Sequence, residues 1–173
     1  MSIIEGLLRE LEQEAQTTRR VLERVPGDRL GWKPHERSMS LGQLALHVAT
    51  IPGGIAEMSQ KSPFPVPQFA QPSASSAEEL VPALERSVGR AKEILAGLDA
   101  ASLSNTWRVV DGDREVLALP VGALLRSIML NHWYHHRGQL AVYLRQLGVR
   151  VPAIYGPSAD ENPFLAQAAA TPA

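Results

Sequence analysis

The sequence predicts an all-α protein: a four-helix bundle with a long crossover connection and a small β-hairpin insertion. Three observations carry this. Four stretches place apolar residues at three- and four-residue spacing behind helix-start signals. Residues 61–76 hold Pro63, Pro65, Pro67 and Pro72 beside Ser73, Ser75 and Ser76. Between Trp107 and Leu119 the pattern changes to short apolar runs on either side of Asp111-Gly112.

The elements follow in order. Ser2 and Glu5 form an S-x-x-E capping box ahead of Ile4, Leu7, Leu8, Leu11, Ala15, Thr18 and Leu22, so a first helix spans residues 2–25 and stops at Pro26-Gly27. Ser40 with Gln43 opens a second helix carrying Leu41, Leu44, Ala45, His47, Val48 and Ile51. Pro52-Gly53-Gly54 is expected to kink or interrupt it. The Pro/Ser-rich segment 61–76 suits neither helix nor sheet and reads as a crossover between helices that are not simple up-down neighbours. Ser76 with Glu79 is expected to cap a third helix, with Leu80, Leu84, Val88, Ala91, Leu95 and Leu98 on one face and Pro82 marking a kink or the true start. Trp107, Val109 and Val110, then Val116, Leu117 and Leu119, predict the hairpin as an insertion and not a sheet. Pro120 suits a first helical position and Gly148 a stop, so the fourth helix covers residues 121–147. Its expected inward stripe is Leu125, Met129, His132, His136, Gln139 and Val142 or Tyr143.

With 173 residues the chain has room for one domain, expected over residues 1–162, with a disordered tail at 163–173. The Pro/Tyr segment 152–157 is expected to pack on the bundle. Composition narrows the function. Lys plus Arg number 17 against 18 Asp plus Glu, a net charge of −1, so no basic excess exists to neutralise a phosphate backbone and nucleic acid is not an expected partner. No apolar run approaches the roughly 18 residues of a membrane span, and a cytoplasmic protein is expected. The absence of cysteine removes disulfides, thiolate metal ligands and an internal cysteine nucleophile together.

The chemistry concentrates in Asn131-His132-Trp133-Tyr134-His135-His136-Arg137-Gly138-Gln139, which holds three of the five histidines. On a helix, His132 and His136 lie about 40° apart around the axis and about 6 Å along it, so both imidazoles can reach one ion. His47 sits on an apolar helix face, where an unpaired imidazole nitrogen costs roughly 1 to 3 kcal/mol. A single divalent cation would satisfy His47, His132 and His136 at once and leave coordination positions open. At i, i+3 from His132, His135 remains a rival to His136, which the stripe with Leu125 and Met129 favours. His35, in a Pro-containing loop beside Glu36 and Arg37, reads as a solvated residue. Gln43 and Gln139 each lie one turn from a candidate ligand and could orient an imidazole or a bound water, or simply cap and pack.

Several of these residues also carry a family resemblance. Trp32-Lys33-Pro34, Ser38 to Leu44 with His47, Asn131-His132 with His136-Arg137-Gly138-Gln139-Leu140, Leu144 to Gly148 and Pro152 to Gly156 together resemble the DinB-like family of bacterial damage-inducible proteins. The resemblance runs from the first helix to about Glu161. It implies a four-helix bundle, often dimeric, in which a divalent metal is held by His47, His132 and His136. Zinc or nickel is the expected ion, with iron, cobalt and manganese as alternatives. It also implies kinship with thiol S-transferases and a mycothiol-dependent isomerase, whose metal activates a low-molecular-weight thiol. The expected function is therefore a metal-dependent transferase acting on a small-molecule substrate through an external thiol, as a homodimer. The alternatives are a non-catalytic metal-binding stress-response protein and a metal-dependent hydrolase; for the latter the sequence supplies no obvious base, and Glu57, ten residues beyond His47, could lie on the same side of its helix only if Pro52 and the glycines keep the phase.

Overall fold

The computed structural model describes residues 2–67 and 71–164. It is mostly helical with a small three-stranded sheet. In chain order the elements are α1 (Ile3–Leu22), a 3₁₀ turn (Gly27–Arg29), α2 (Leu41–Ser59), β1 (Phe64–Pro65), α3 (Leu80–Ala96), α4 (Ala100–Ser104), β2 (Thr106–Asp111), β3 (Arg114–Pro120), α5 (Val121–Ala123), a π-helical stretch (Leu124–Asn131) and α6 (His132–Gln146). The last three run on as one rod with helical backbone angles at each junction. The expected tail lies outside the described residues from 165 onward.

Two of the three expected capping boxes form. Ser2 Oγ accepts from Glu5 N at 3.1 Å while the Glu5 carboxylate accepts from Ser2 N at 2.7 Å. Ser40 and Gln43 exchange the same pair of bonds at 3.2 and 2.9 Å. The expected Ser76/Glu79 box does not form. Glu79 is the N-cap of α3 with no side-chain cap bond, because its carboxylate accepts from the backbone N and hydroxyl of Ser75 instead, at 2.6 and 3.1 Å. Pro82 then occupies the third helical position, where an N–H has no intrahelical acceptor and its loss costs nothing. At the far end of α6, Gly148 takes φ +72 and Val149 N donates to Leu144 O at 2.9 Å, closing the helix in a left-handed turn.

Side-chain pairs give the direction of each rod. Gly53 meets Ser87 and Glu57 meets Arg90, so α2 and α3 run parallel. Glu12 meets Lys92 and Arg19 meets Glu85, so α1 and α3 are antiparallel. Glu10 pairs with Arg126 and Tyr134, and Glu14 with Arg137, so α1 parallels α6. Parallel neighbours such as α2 and α3 require a connection that returns the length of the helix. Residues 60–79 supply it.

That connection also corrects one expectation. The Pro-rich segment does contribute a strand: Phe64 and Pro65 pair in parallel with Val109 and Val110, making a sheet ordered β1-β2-β3. Proline is tolerated there because β1 is an edge strand. The hairpin forms as expected, with β2 and β3 antiparallel around Gly112 and an irregularity at Val109/Val110. Trp107, 2% exposed, anchors it by donating its indole N–H to Lys61 O at 2.8 Å and Met58 O at 3.1 Å, carbonyls at and just beyond the end of α2.

Helix α2 runs unbroken through Pro52. Gly53 donates its N–H to Ser87 Oγ of α3 at 2.8 Å, and a Cβ at Gly53 would stand 2.8 Å from Ser87 O, so only glycine permits this approach. The stripe on α6 is shifted from the expected one. Trp133, Arg137, Leu140 and Leu144 are buried, whereas Gln139 and Val142 are exposed. A count of apolar residues passes over Arg137, and with it the true phase of the helix.

Arg137 is 1% exposed. It pairs with the Glu14 carboxylate at 2.6 Å, donates to Glu14 O and Thr18 Oγ1 at 3.2 and 3.1 Å, and donates to the Tyr155 hydroxyl at 2.6 Å. Tyr155 in turn donates to Glu14 at 3.0 Å. The chain after α6, with Val151 and Ala153 buried, is held further by ion pairs of Arg145 with Asp160 and Arg20 with Glu161. Removing one partner of a buried ion pair strands the other, at a cost of about 3–5 kcal/mol. Glu14→Ala should lower the unfolding free energy by that amount in urea titrations; a change below about 1 kcal/mol would show that Arg137 finds another partner.

Candidate metal centre

His47 lies at the edge of the buried face of α2, and His132 and His136 lie one turn apart at the start of α6, each one residue before a member of its buried stripe. Packing α2 against α6 therefore brings all three rings into one seam. Each is half-buried, and each offers a ring nitrogen within 4.8 Å of the others. The ring centroids are 5.3 Å apart for His47 and His132, 4.6 Å for His47 and His136, and 4.4 Å for His132 and His136.

The donor set suits a divalent cation. Metal–imidazole bonds of 2.0–2.1 Å in a tetrahedron put neighbouring nitrogens about 3.3 Å apart; His47 Nε2 and His132 Nε2 are 3.4 Å apart. His136 Nδ1 lies 2.6 Å from Gln139 Oε1. An amide oxygen only accepts, so the bond fixes the proton on Nδ1 and leaves Nε2 bare for a ligand. Burial holds the His47 imidazole down to about 4, and the nearby His136 and His132 rings push the same way. Burial likewise brings His136 to about 4 despite the opposing bond to Gln139. His132 is lowered by burial and by His135, against a backbone hydrogen bond at Ile128. Three neutral imidazoles at pH 7 are what a cation requires.

The structure brings together the three histidines that the sequence singled out, and separates the others. His135 is exposed, its ring 4.9 Å from that of His136 on the outer side. His35 is an exposed loop residue whose Nδ1 accepts from Arg37 N at 3.2 Å. Gln43 caps α2 and donates to Gln71 O at 2.9 Å, so of the two candidate glutamines it is Gln139 that hydrogen-bonds a site ring. Glu57 is engaged by Arg90 of α3 at 2.9 Å. Among the described residues no carboxylate joins the histidine group. A π-helical stretch, a wide-turn element often found at functional sites, lies immediately before His132, and no residue pattern foretells it.

The model of the DinB family matches residues 1–163. The chain belongs to the DinB family. This family member is 27% identical over 163 residues, 91% of each chain, to the uncharacterised protein YrdA of Bacillus subtilis. Its fold is similar to that of a DinB-like protein from Bacillus cereus, with a TM-score of 0.69 at 24% identity over 87% of this chain and 97% of that one. It is also similar to YjoA, a DinB-like protein of Bacillus subtilis, with a TM-score of 0.63 at 23% identity over 90% and 98%.

Two predictions rest on this geometry. In the metal-free DinB-family chain, His47 and His136 should titrate near pH 4 by NMR. The unfolded chain protonates its histidines near 6.5, so between 6.5 and about 4 the unfolded state binds more protons. Stability of the metal-free protein should therefore fall as pH drops through that window. Ring resonances moving at pH 6.5 would contradict it. Gln139→Leu should weaken divalent-metal affinity by about 10- to 100-fold with the fold intact, measured by competition with a chromophoric chelator.

Proposed function

We propose that the protein binds a divalent metal through His47, His132 and His136 and acts as a metal-dependent transferase on a low-molecular-weight thiol and a small-molecule electrophile. The observation that supports this reading is the convergence of three neutral imidazoles with no carboxylate among them. Such a set holds an ion with fewer ligands than it can take, the condition for a site that binds substrate. When bound, the metal supplies Lewis-acid chemistry, lowering the pKa of a thiol by several units. The chain has no cysteine of its own, so the thiol of this reading comes from outside.

The chain's own residues have defined parts in this proposal. The three histidines fix the position of the reacting group at the seam between α2 and α6. Gln139 holds the His136 ring in the tautomer that leaves Nε2 free. The half-exposed rings leave a small molecule a way in from solvent. Zinc or nickel is the ion of this reading, and the four long rods are its four-helix bundle. A hydrolase is less well supported, since Glu57 is tied to Arg90 and a general base at the open position is not otherwise apparent among the described residues. A metal-binding stress-response protein without turnover shares the same three ligands and differs only in the outcome of an assay.

Purified protein should carry close to one equivalent of zinc or nickel, and His47→Ala, His132→Ala and His136→Ala should each abolish stoichiometric binding. Retention of a full equivalent by all three variants would refute the site. Metal at a hundredfold excess over its dissociation constant should stabilise the protein by about 2.7 kcal/mol, read as a rise in melting temperature. A turnover screen of the loaded protein with several thiols and electrophiles, against His132→Ala, separates transferase from binding protein. Metal-dependent product formation that is lost in the variant is the expected result, and no turnover with any pair favours the binding protein.

A further inference from the structure

A helix residue accepts at its carbonyl from the N–H four residues on. Pro52 has no N–H, so the carbonyl of Val48 has no partner within α2. Val48 is fully buried, as is Trp133, and an unmatched polar group at such a place is strongly disfavoured. The indole Nε1 of Trp133 donates to Val48 O at 2.8 Å. A gap in one helix is thus filled by a side chain of another. The two residues that meet are the immediate successors of His47 and His132 in the chain.

We propose that Pro52 and Trp133 are positioning residues for the histidine site, pinning α2 to α6 in the register that sets the spacing of His47 from His132 and His136. Apolar packing alone defines that register loosely, since Leu and Ala side chains of two rods remain in contact through small slides. A directed hydrogen bond does not. It weakens within a few tenths of an ångström and steeply with angle, the same tolerance that a metal–nitrogen distance demands. A slip of α6 by one residue moves it 1.5 Å along its axis and breaks the bond. The proline, which sequence reasoning takes as a helix breaker, acts here by freeing the acceptor.

The inference rests on the metal-binding reading of the three histidines, and its test keeps the two apart. Trp133→Phe removes the donor while keeping most of the aromatic volume. Combining it with Pro52→Ala restores the N–H of residue 52, so that Val48 O is satisfied inside α2 and the fold no longer needs the indole. Cobalt(II), whose visible absorption reports coordination by nitrogen, is titrated into each protein, and melting temperatures are taken without metal. Trp133→Phe should melt lower than wild type. The double variant should recover most of that loss yet bind cobalt about tenfold or more weakly, with altered band positions. A double variant that binds cobalt with wild-type affinity and spectrum would overturn the positioning role while leaving the site intact. A wild-type protein that takes up no cobalt would overturn the metal reading, and this inference with it.

Discussion

A charged guanidinium cannot stay in a protein interior unless other groups replace the water it gives up. Arg137, 1% exposed, imposes that condition on much of this molecule. Its partners come from α1, through Glu14 and Thr18, and from the segment beyond α6, through Tyr155. Tyr134 and Tyr155 add their ring faces at 5.3 and 5.1 Å. Holding this one side chain, of which only Nε lacks a partner, therefore fixes how α6 is rotated about its axis and where the chain after it lies. With Arg137 turned inward, His136 is carried about 100° around the helix to the side facing α2.

The site and the core are consequently adjacent but distinct. Trp133 and Arg137 take the interior line, and the histidines that precede each of them take the margin, where water and protein meet. A margin lowers the imidazoles' affinity for protons without sealing them off. On the other side of the seam, α2 is tied to α3 by Gly53 and Ser87 and to the sheet by Trp107. His47 is thus carried by a rod braced on α3, on α6 and on the sheet.

What was legible in the sequence is what is decided within a few residues. The Ser2/Glu5 and Ser40/Gln43 boxes, the Gly112 turn and the Gly148 stop are local bargains between neighbours, and each stands where the pattern put it. The Ser76/Glu79 box failed because Glu79 had a second acceptable partner in Ser75. Strand β1 was hidden because two residues acquire strand pairing only from the edge β2 offers. The stripe on α6 was misphased because Arg137 looks like a surface residue until Glu14, more than a hundred positions away, is beside it. The three histidines were legible for the opposite reason: the spacing of His132 and His136 on α6 is local, and an isolated polar ring, His47, on the apolar helix α2 stands out without any knowledge of its partners. Their meeting across the seam was not, because it depends on the pairing of rods.

The neutrality of the three imidazoles has an electrostatic consequence. Carboxylate or thiolate ligands cancel much of a cation's charge, whereas imidazoles cancel none of it. A divalent ion seated among His47, His132 and His136 would add two full positive charges at one point on the surface of a chain whose formal charge is −1. The loaded protein would then present a localised positive pole to solvent that the empty one lacks, felt by anions over roughly a Debye length, about 8 Å at physiological salt. Occupancy would in this way decide which small molecules are drawn to the seam before any of them makes contact.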